Sequence, residues 1–399
     1  MKMSPLVALA LTAISLGSAS AESRSPNNIA QEGVAPPCVG PNPRVAVPSA
    51  PHGMFVWLYS LDAQRALNLF KKYVIGKDPS LCGASAVVSW SDVEKSKGSF
   101  DFSKVEQSLK PFIDAGLTIN LLFAAAGEGK VNDVTPHWVM AEVPKTFCGG
   151  TALPIYWNPK YEADWSAFIR RAITYFSNES PIKNQIGYLR FATGAGAEAV
   201  APPGAYGGPC VNPLRKKGYS YQAWKAHTLR MLDAMTSVPT THQIIAALPQ
   251  VPGGPTQFDL PNTFASAAAA KRVGLSFESL GKGNVAAPGT KPGRCRPAQD
   301  HWCAAFIKYA GVVPLAMQPI TASQSTTHGR LDISNVLQYA LNNKIQIFEL
   351  YPGEWLQANG ATAWQPYQPA QEAKYKAALQ SASRTLGTVS STVGGAAIP

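Results

Sequence analysis

Between residues 51 and 386 apolar residues come in short, nearly unbroken runs, separated by stretches in which they recur every three or four positions. Runs that are apolar on both faces read as parallel strands covered on each side, and the three-and-four spacing reads as amphipathic helices between them. Eight runs qualify: Met54–Ser60, Ala84–Trp90, Thr118–Ala124, Gly187–Thr193, Gln243–Leu248, Val273–Phe277, Val312–Met317 and Ile345–Leu350. Helices are predicted over Phe102–Ala115, Tyr161–Phe176, Tyr221–Met235, Ile333–Leu341 and Gln371–Leu386, with Asp101 and Asp332 placed to cap helix starts. Repeated βα units of this number predict a (β/α)₈ barrel of the TIM type over 51–386, with long βα loops. A Pro-rich lead over 22–50 precedes it, and a Ser/Thr/Gly/Ala-rich tail over 387–399, expected to fray, follows. The longest connections fall after the third, fourth, sixth and eighth runs, on the face where such barrels build their sites.

The first residues break the pattern. One charge at Lys2, an apolar run from Leu6 to Leu16 and the small residues Ala19-Ser20-Ala21 have the form of a signal peptide cleaved after Ala21. The run is shorter than the ~20 residues a bilayer span needs, so a secreted or periplasmic chain without a membrane span is expected. Composition agrees: charged residues make up 15% of the chain, and Gly and Pro number 33 each, which describes a loop-rich, uncharged-polar surface. The net charge of +11 is dispersed, and its longest basic run is Arg215-Lys216-Lys217. Nucleic-acid binders concentrate charge on one face, so no nucleic acid is expected as partner, whereas an acidic polysaccharide fits. The six cysteines lack Cys-x-x-Cys or Cys-x-x-His spacing, which favours disulfides over metal ligation. Partners must lie at the same end of the barrel, which pairs Cys38 with Cys82, Cys148 with Cys210 and Cys295 with Cys303.

No Gly-x-Ser-x-Gly elbow, His-Glu-x-x-His pair, Walker loop or dinucleotide fingerprint occurs, so esterase, zincin and nucleotide-dependent chemistries lose their usual supports. No metal or organic cofactor is expected. Glutamates near strand ends carry the sharper signal. A carboxylate at a barrel mouth acts as general acid when its pKa is raised, and as base or nucleophile when it stays ionised. Three candidates fit: Glu198, after the small-residue stretch Thr193-Gly194-Ala195-Gly196-Ala197, and Glu278 and Glu349, inside the apolar runs Ser276-Phe277-Glu278 and Phe348-Glu349-Leu350. The last two are expected to be buried, and a buried carboxylate requires a partner or a purpose.

Trp90-Ser91-Asp92-Val93-Glu94-Lys95, Gly98-Ser99-Phe100-Asp101-Phe102-Ser103 and Ala115-Gly116-Leu117 resemble the second βα unit of the large clan of retaining (β/α)₈ glycoside hydrolases that includes β-galactosidases, xylanases and xylosidases. Thr135-Pro136-His137-Trp138 is similar to a Thr-Pro-x-Trp segment of that clan, and the resemblance covers about the first half of the chain. It implies that Glu198 is the acid/base, although Ala197 stands where the clan has Asn. It also implies a nucleophile at the end of the seventh strand, where this chain carries Gln318. The second carboxylate is therefore expected at Glu349, on the adjacent strand, or at Glu278.

Trp57, Trp90, Trp138 and Trp355 fall at or just after predicted strand ends, where indoles stack on sugar C–H faces. His137, Tyr59, Tyr351 and Gln318 are further candidates for contacting substrate hydroxyls. The expectation is an exported glycoside hydrolase acting on a poly- or oligosaccharide; the alternative is a non-catalytic carbohydrate-binding or structural cell-surface barrel.

Overall fold

The computed structural model describes Cys38 and residues 51–61, 64–127, 134–148, 151–196, 199, 211–249, 259–280, 301–319, 332–364 and 367–389. The expected signal peptide, almost all of the Pro-rich lead, the end of the tail and Glu198 lie outside these residues. Among them, no helix is long and apolar enough to cross a membrane.

The eight predicted runs form the eight strands of a closed parallel barrel. They are β1 (Gly53–Leu58), β2 (Leu81–Ser89), β3 (Thr118–Ala124), β4 (Ile186–Phe191), β5 (Gln243–Ala247), β6 (Gly274–Leu280), β7 (Leu315–Pro319) and β8 (Ile347–Leu350). Each pairs with its neighbours in chain order, and β8 closes on β1 through Gly53↔Ile347 and Phe55↔Glu349. Successive side chains on a strand point to opposite faces, which splits the apolar residues into two cores. Met54, Val56 and Leu58 join the core between barrel and helices, while Phe55 and Trp57 join Leu122, Tyr188, Ile245, Ala316 and Ile347 inside the barrel. Burial on both sides is why the strands read as unbroken apolar runs.

The helices follow local chemistry. Asn158 caps the helix Pro159–Thr174, accepting from the Lys160 and Tyr161 amides, and Ser220 caps Tyr221–Met235. Asp332 caps Ile333–Asn342 as expected, accepting from the amides of Ser334 and Asn335. The predicted helix Phe102–Ala115 is two pieces, Ser103–Ser108 and Lys110–Asp114. Pro111 has no amide hydrogen and its ring crowds the carbonyl four residues back, which breaks the run there. A short antiparallel hairpin, Lys145–Cys148 with Thr151–Pro154, is an addition to the predicted strands. Short, with one flank turning at Pro154, it gave too brief an alternation to be read. The closing helix runs from Glu372 to Val389, past the predicted end at Leu386.

The Cys38–Cys82 disulfide is present, with Cα atoms 5.2 Å apart, and ties the lead to the start of β2. Cys303 is also disulfide-bonded. Its expected partner Cys295, and Cys210, lie outside the described residues.

Next to Cys82 the barrel wall has no room for a side chain. Gly83 pairs with Thr118, and a Cβ built on it would stand 1.8 Å from the Thr118 carbonyl oxygen. Gly83→Ala is therefore expected to push β2 away from β3 and to destabilise the protein by about 1–3 kcal/mol or more. Urea unfolding monitored by tryptophan fluorescence measures this, and a variant within ~1 kcal/mol of the parent would contradict the tight strand approach.

Candidate functional site

Alternation along the strands decides which polar residues enter the barrel. Tyr188 and Arg190 on β4 point inward together, as do Ile347 and Glu349 on β8. Glu349 and Arg190 are both 0% exposed, and the guanidinium Nη1 donates to Glu349 Oε2 at 3.2 Å. The Tyr188 hydroxyl donates to the other carboxylate oxygen, Oε1. Since that proton is committed, the Ser85 hydroxyl, 3.4 Å away, serves as donor to the phenol oxygen. Asn120 Nδ2 in turn donates to Ser85 Oγ at 3.1 Å. The result is a chain of donors, Asn120 to Ser85 to Tyr188, ending on the carboxylate, in which each bond polarises the next. Burial first, and the nearby carboxylate second, push the Tyr188 phenol well above its usual pKa and keep it a donor.

The same cation reaches upward. The Arg190 guanidinium lies 5.2 Å from the centroid of the Trp57 ring. Trp57 meets Tyr59 edge to face at 6.0 Å, and Tyr59 meets Tyr351 at 5.4 Å. Gln318 Nε2, on β7, donates to the Tyr351 hydroxyl at 3.2 Å. Trp57, Tyr59, Gln318, Glu349 and Tyr351 thus form one contiguous group running from the barrel interior to its C-terminal rim, where Tyr59 is exposed. Within it, two buried polar atoms, the Trp57 Nε1–H donor and the Gln318 Oε1 acceptor, have no hydrogen-bond partner among the described residues. Such atoms are rare in folded proteins, because each costs about 1–3 kcal/mol when left unmatched.

The remaining candidates lie elsewhere. Trp90 is fully buried in the outer core, 4.9 Å from the Trp165 ring and 6.0 Å from that of Trp138. Its Nε1 donates to Glu94 Oε2 at 2.7 Å, and the Gly98 amide donates to Glu94 Oε1 at 2.8 Å. The half-buried Trp138 donates to the Glu94 carbonyl at 3.2 Å. Thr135 Oγ1 donates to the Ala125 carbonyl at 2.8 Å. The Trp90-to-Glu94 and Thr135-to-Trp138 stretches therefore make one joint that locks the exit of β3 onto the exit of β2. Burial pushes the Glu94 pKa up within that joint. Trp90 and Trp355 are both 0% exposed and belong to the outer core: Trp90 follows β2 in the outward-facing phase, and Trp355 lies on the helix Pro352–Ala358 that follows β8. His137 is exposed at the start of a short helix. Glu278 sits on β6; its side chain and Glu198 are outside the described residues. Among the described residues no group of His, Cys, Asp and Glu could hold a metal ion.

Sequence reading overlooked Arg190, Tyr188, Ser85 and Asn120. The available signal was a charged residue inside the apolar run Tyr188-Leu189-Arg190-Phe191, two positions from a tyrosine, facing an equally isolated acid on another strand.

No family model matches the chain, and no curated protein does. Solved structures do match. The catalytic domain of a β-amylase from Paenibacillus polymyxa aligns over 76% of this chain and 92% of its own, with 12% identity and a TM-score of 0.51. A broad-specificity endoglucanase from an uncultured bacterium covers 83% of this chain and 94% of its own, with 10% identity and a TM-score of 0.47. A tri-modular endo-β-1,4-glucanase from Bacillus halodurans aligns at 8% identity with a TM-score of 0.48; this chain spans only 60% of that protein. At these identities the likeness to the β-amylase domain is one of fold, the closed parallel barrel.

Truncating the acid tests the interior network. Glu349→Ala leaves the Arg190 charge buried without its carboxylate and is expected to cost about 3–5 kcal/mol. Tyr188→Phe removes one donor and is expected to cost about 1–3 kcal/mol. Chemical denaturation of both variants measures this, and a Glu349→Ala protein as stable as the parent would refute the pairing.

Proposed function

We propose that the chain is an exported glycoside hydrolase that seats a sugar at the C-terminal mouth of its barrel. Glu198 acts as general acid/base and Glu349 as nucleophile or base, with Glu278 as the alternative second carboxylate. The observation that carries this reading is the pair of unmatched buried atoms, Trp57 Nε1 and Gln318 Oε1, set among aromatic rings beside Glu349. A sugar answers both halves of that surface. Its C–H faces lie against Trp57 and Tyr59, one hydroxyl accepts from the Trp57 N–H, and another donates to Gln318 Oε1.

Bond cleavage then needs a proton for the leaving oxygen and an electron pair for the anomeric carbon. Glu198 supplies the first. For the second, Glu349 either attacks the carbon directly or takes a proton from an attacking water. A carboxyl separation of ~5.5 Å selects attack, and ~6.5–9.5 Å leaves room for water. Hydrogen bonds from Tyr188 and Arg190 fix the orientation of the Glu349 carboxylate in either case. No metal or organic cofactor has a step in this scheme. An acidic glycan is the substrate class that suits the net charge of +11.

A second reading, a carbohydrate-binding or structural cell-surface barrel without turnover, draws on one observation: Glu349 has no exposed surface and is committed to Arg190 and Tyr188. Incubation with neutral and acidic polysaccharides separates the two. The hydrolase releases new reducing ends from at least one of them, and Glu198→Gln lowers kcat by about 10²–10⁴-fold while the protein stays folded. Retention on a polysaccharide affinity gel with no released product, weakened by Trp57→Ala, would establish the binding protein instead.

A further inference from the structure

The backbone leaving β4 is held by side chains from two helices. Ala192 and Thr193 follow the end of the strand, and their carbonyls point at the helix layer, not at a neighbouring strand. Trp165 Nε1, from the helix Pro159–Thr174, donates to the Ala192 carbonyl at 2.9 Å. His227 Nε2, from the helix Tyr221–Met235, donates to the Thr193 carbonyl at 2.9 Å. Three residues on, the Gly196 amide donates to the Ala126 carbonyl at 2.9 Å. Glu198 follows two positions later in the chain.

His227 is itself fixed from behind. Its ring is fully buried, beside the rings of Trp224 at 5.5 Å and Tyr156 at 6.2 Å. Nδ1 faces Glu162 Oε1 at 2.8 Å, and with Nε2 donating to a carbonyl and Nδ1 to a carboxylate both ring nitrogens carry a hydrogen, which makes this contact a salt bridge. Arg230, one turn along from His227, grips the same carboxylate through Nε at 2.8 Å and Nη2 at 2.7 Å. Burial works to raise the Glu162 pKa, but donation from His227 and Arg230 outweighs it and holds the carboxyl below its usual range. A carbonyl that needs only one donor has behind it a buried imidazole, a carboxylate and a guanidinium in series. Satisfying the backbone would not need the second and third members. Fixing the direction of the imidazole does.

We infer that His227 is a positioning residue: oriented by Glu162 and Arg230, it clamps the Thr193 carbonyl and so fixes the backbone from the end of β4 to Gly196, two positions before Glu198 in the sequence. The role in catalysis rests on the assignment of Glu198 proposed above, while the clamp itself does not. Two substitutions divide the imidazole's bonds. His227→Gln places an amide N–H near the former Nε2 and keeps the donor to Thr193; His227→Asn places one near Nδ1 and keeps only the link to Glu162.

Amide hydrogen exchange at Gly196 is the first measurement, kcat and KM on a cleaved polysaccharide the second. His227→Asn is expected to speed Gly196 exchange at least ~10-fold and, in an active enzyme, to lower kcat by about 10–100-fold with KM little changed. His227→Gln is expected to stay within about threefold of the parent in both. A brace that is merely structural would be loosened alike by the two variants, so equal effects overturn the assignment, as does native Gly196 exchange in His227→Asn. Should His227→Asn fail to fold, His227→Gln decides alone: parent-like Gly196 exchange supports the clamp, and a tenfold increase overturns it. If no polysaccharide is cleaved by the wild-type protein, the hydrolase reading falls and the exchange results still decide the clamp.

Discussion

A single ion pair sealed inside a closed cylinder sets the terms for the rest of this molecule. Taking Arg190 and Glu349 out of water costs several kcal/mol per ion, and their mutual attraction offsets that cost only if the remaining donors and acceptors are matched. The barrel supplies partners for the carboxylate and for its donors from separate strands. Tyr188 on β4 occupies one oxygen of Glu349, Ser85 on β2 supports Tyr188, Asn120 on β3 supports Ser85, and the Trp57 ring on β1 lies over the guanidinium. Because every member belongs to a different strand apart from the Tyr188 and Arg190 pair, the network also reports on register. A one-residue slip of any strand would turn its member to the outer face and leave the others unmatched. In that sense the charge pair contributes specificity more surely than it contributes stability.

The outer shell answers a different need. Strands end at the rim, and the backbone beyond them loses its ladder partners, so its polar groups must be met by side chains. Glu94, with Trp90, Gly98 and Trp138 around it, ties off the exits of β2 and β3. Trp165 and His227 do the same for β4. These joints are built from residues that look catalytic in a sequence: a buried acid, a histidine, several tryptophans. Their bonds identify them as scaffold for the rim. Trp57 Nε1 and Gln318 Oε1, on the inner side of the barrel, are among the buried polar atoms without a hydrogen-bond partner among the described residues.

This difference explains what the chain disclosed and what it withheld. The strands were legible because a barrel wall is apolar on both faces, and the runs that encode it stand out whatever their exact ends. Helix ends were legible where a cap was present, as at Asp332, and misread where a proline interrupted the run, as at Pro111. Trp57 and Trp90 could not be separated by their nearness to strand ends. They could have been by phase. Trp57 is two residues from Phe55 and points inward, whereas Trp90 shares phase with Ala84, Ala86 and Val88, all of which pack outward. Tyr188 and Arg190 were visible by the same rule. What phase cannot give is distance: that Arg190 meets Glu349, many residues later, depends on how the cylinder closes.

Closure also bears on why Gln318, and not an acid, stands at the end of β7. Met317 pairs with Phe348, so the next residues along, Gln318 and Glu349, are inward-facing neighbours on adjacent strands. A glutamate at 318 would set a second buried carboxylate on the strand beside the first. Two like charges at that spacing cannot both ionise cheaply in a low-dielectric interior, and one would be driven to its neutral form. The amide avoids the conflict: its Nε2 is used on Tyr351, and its buried oxygen has no hydrogen-bond partner among the described residues. Among the described residues, Arg190 and Glu349 are thus the ion pair of the barrel interior.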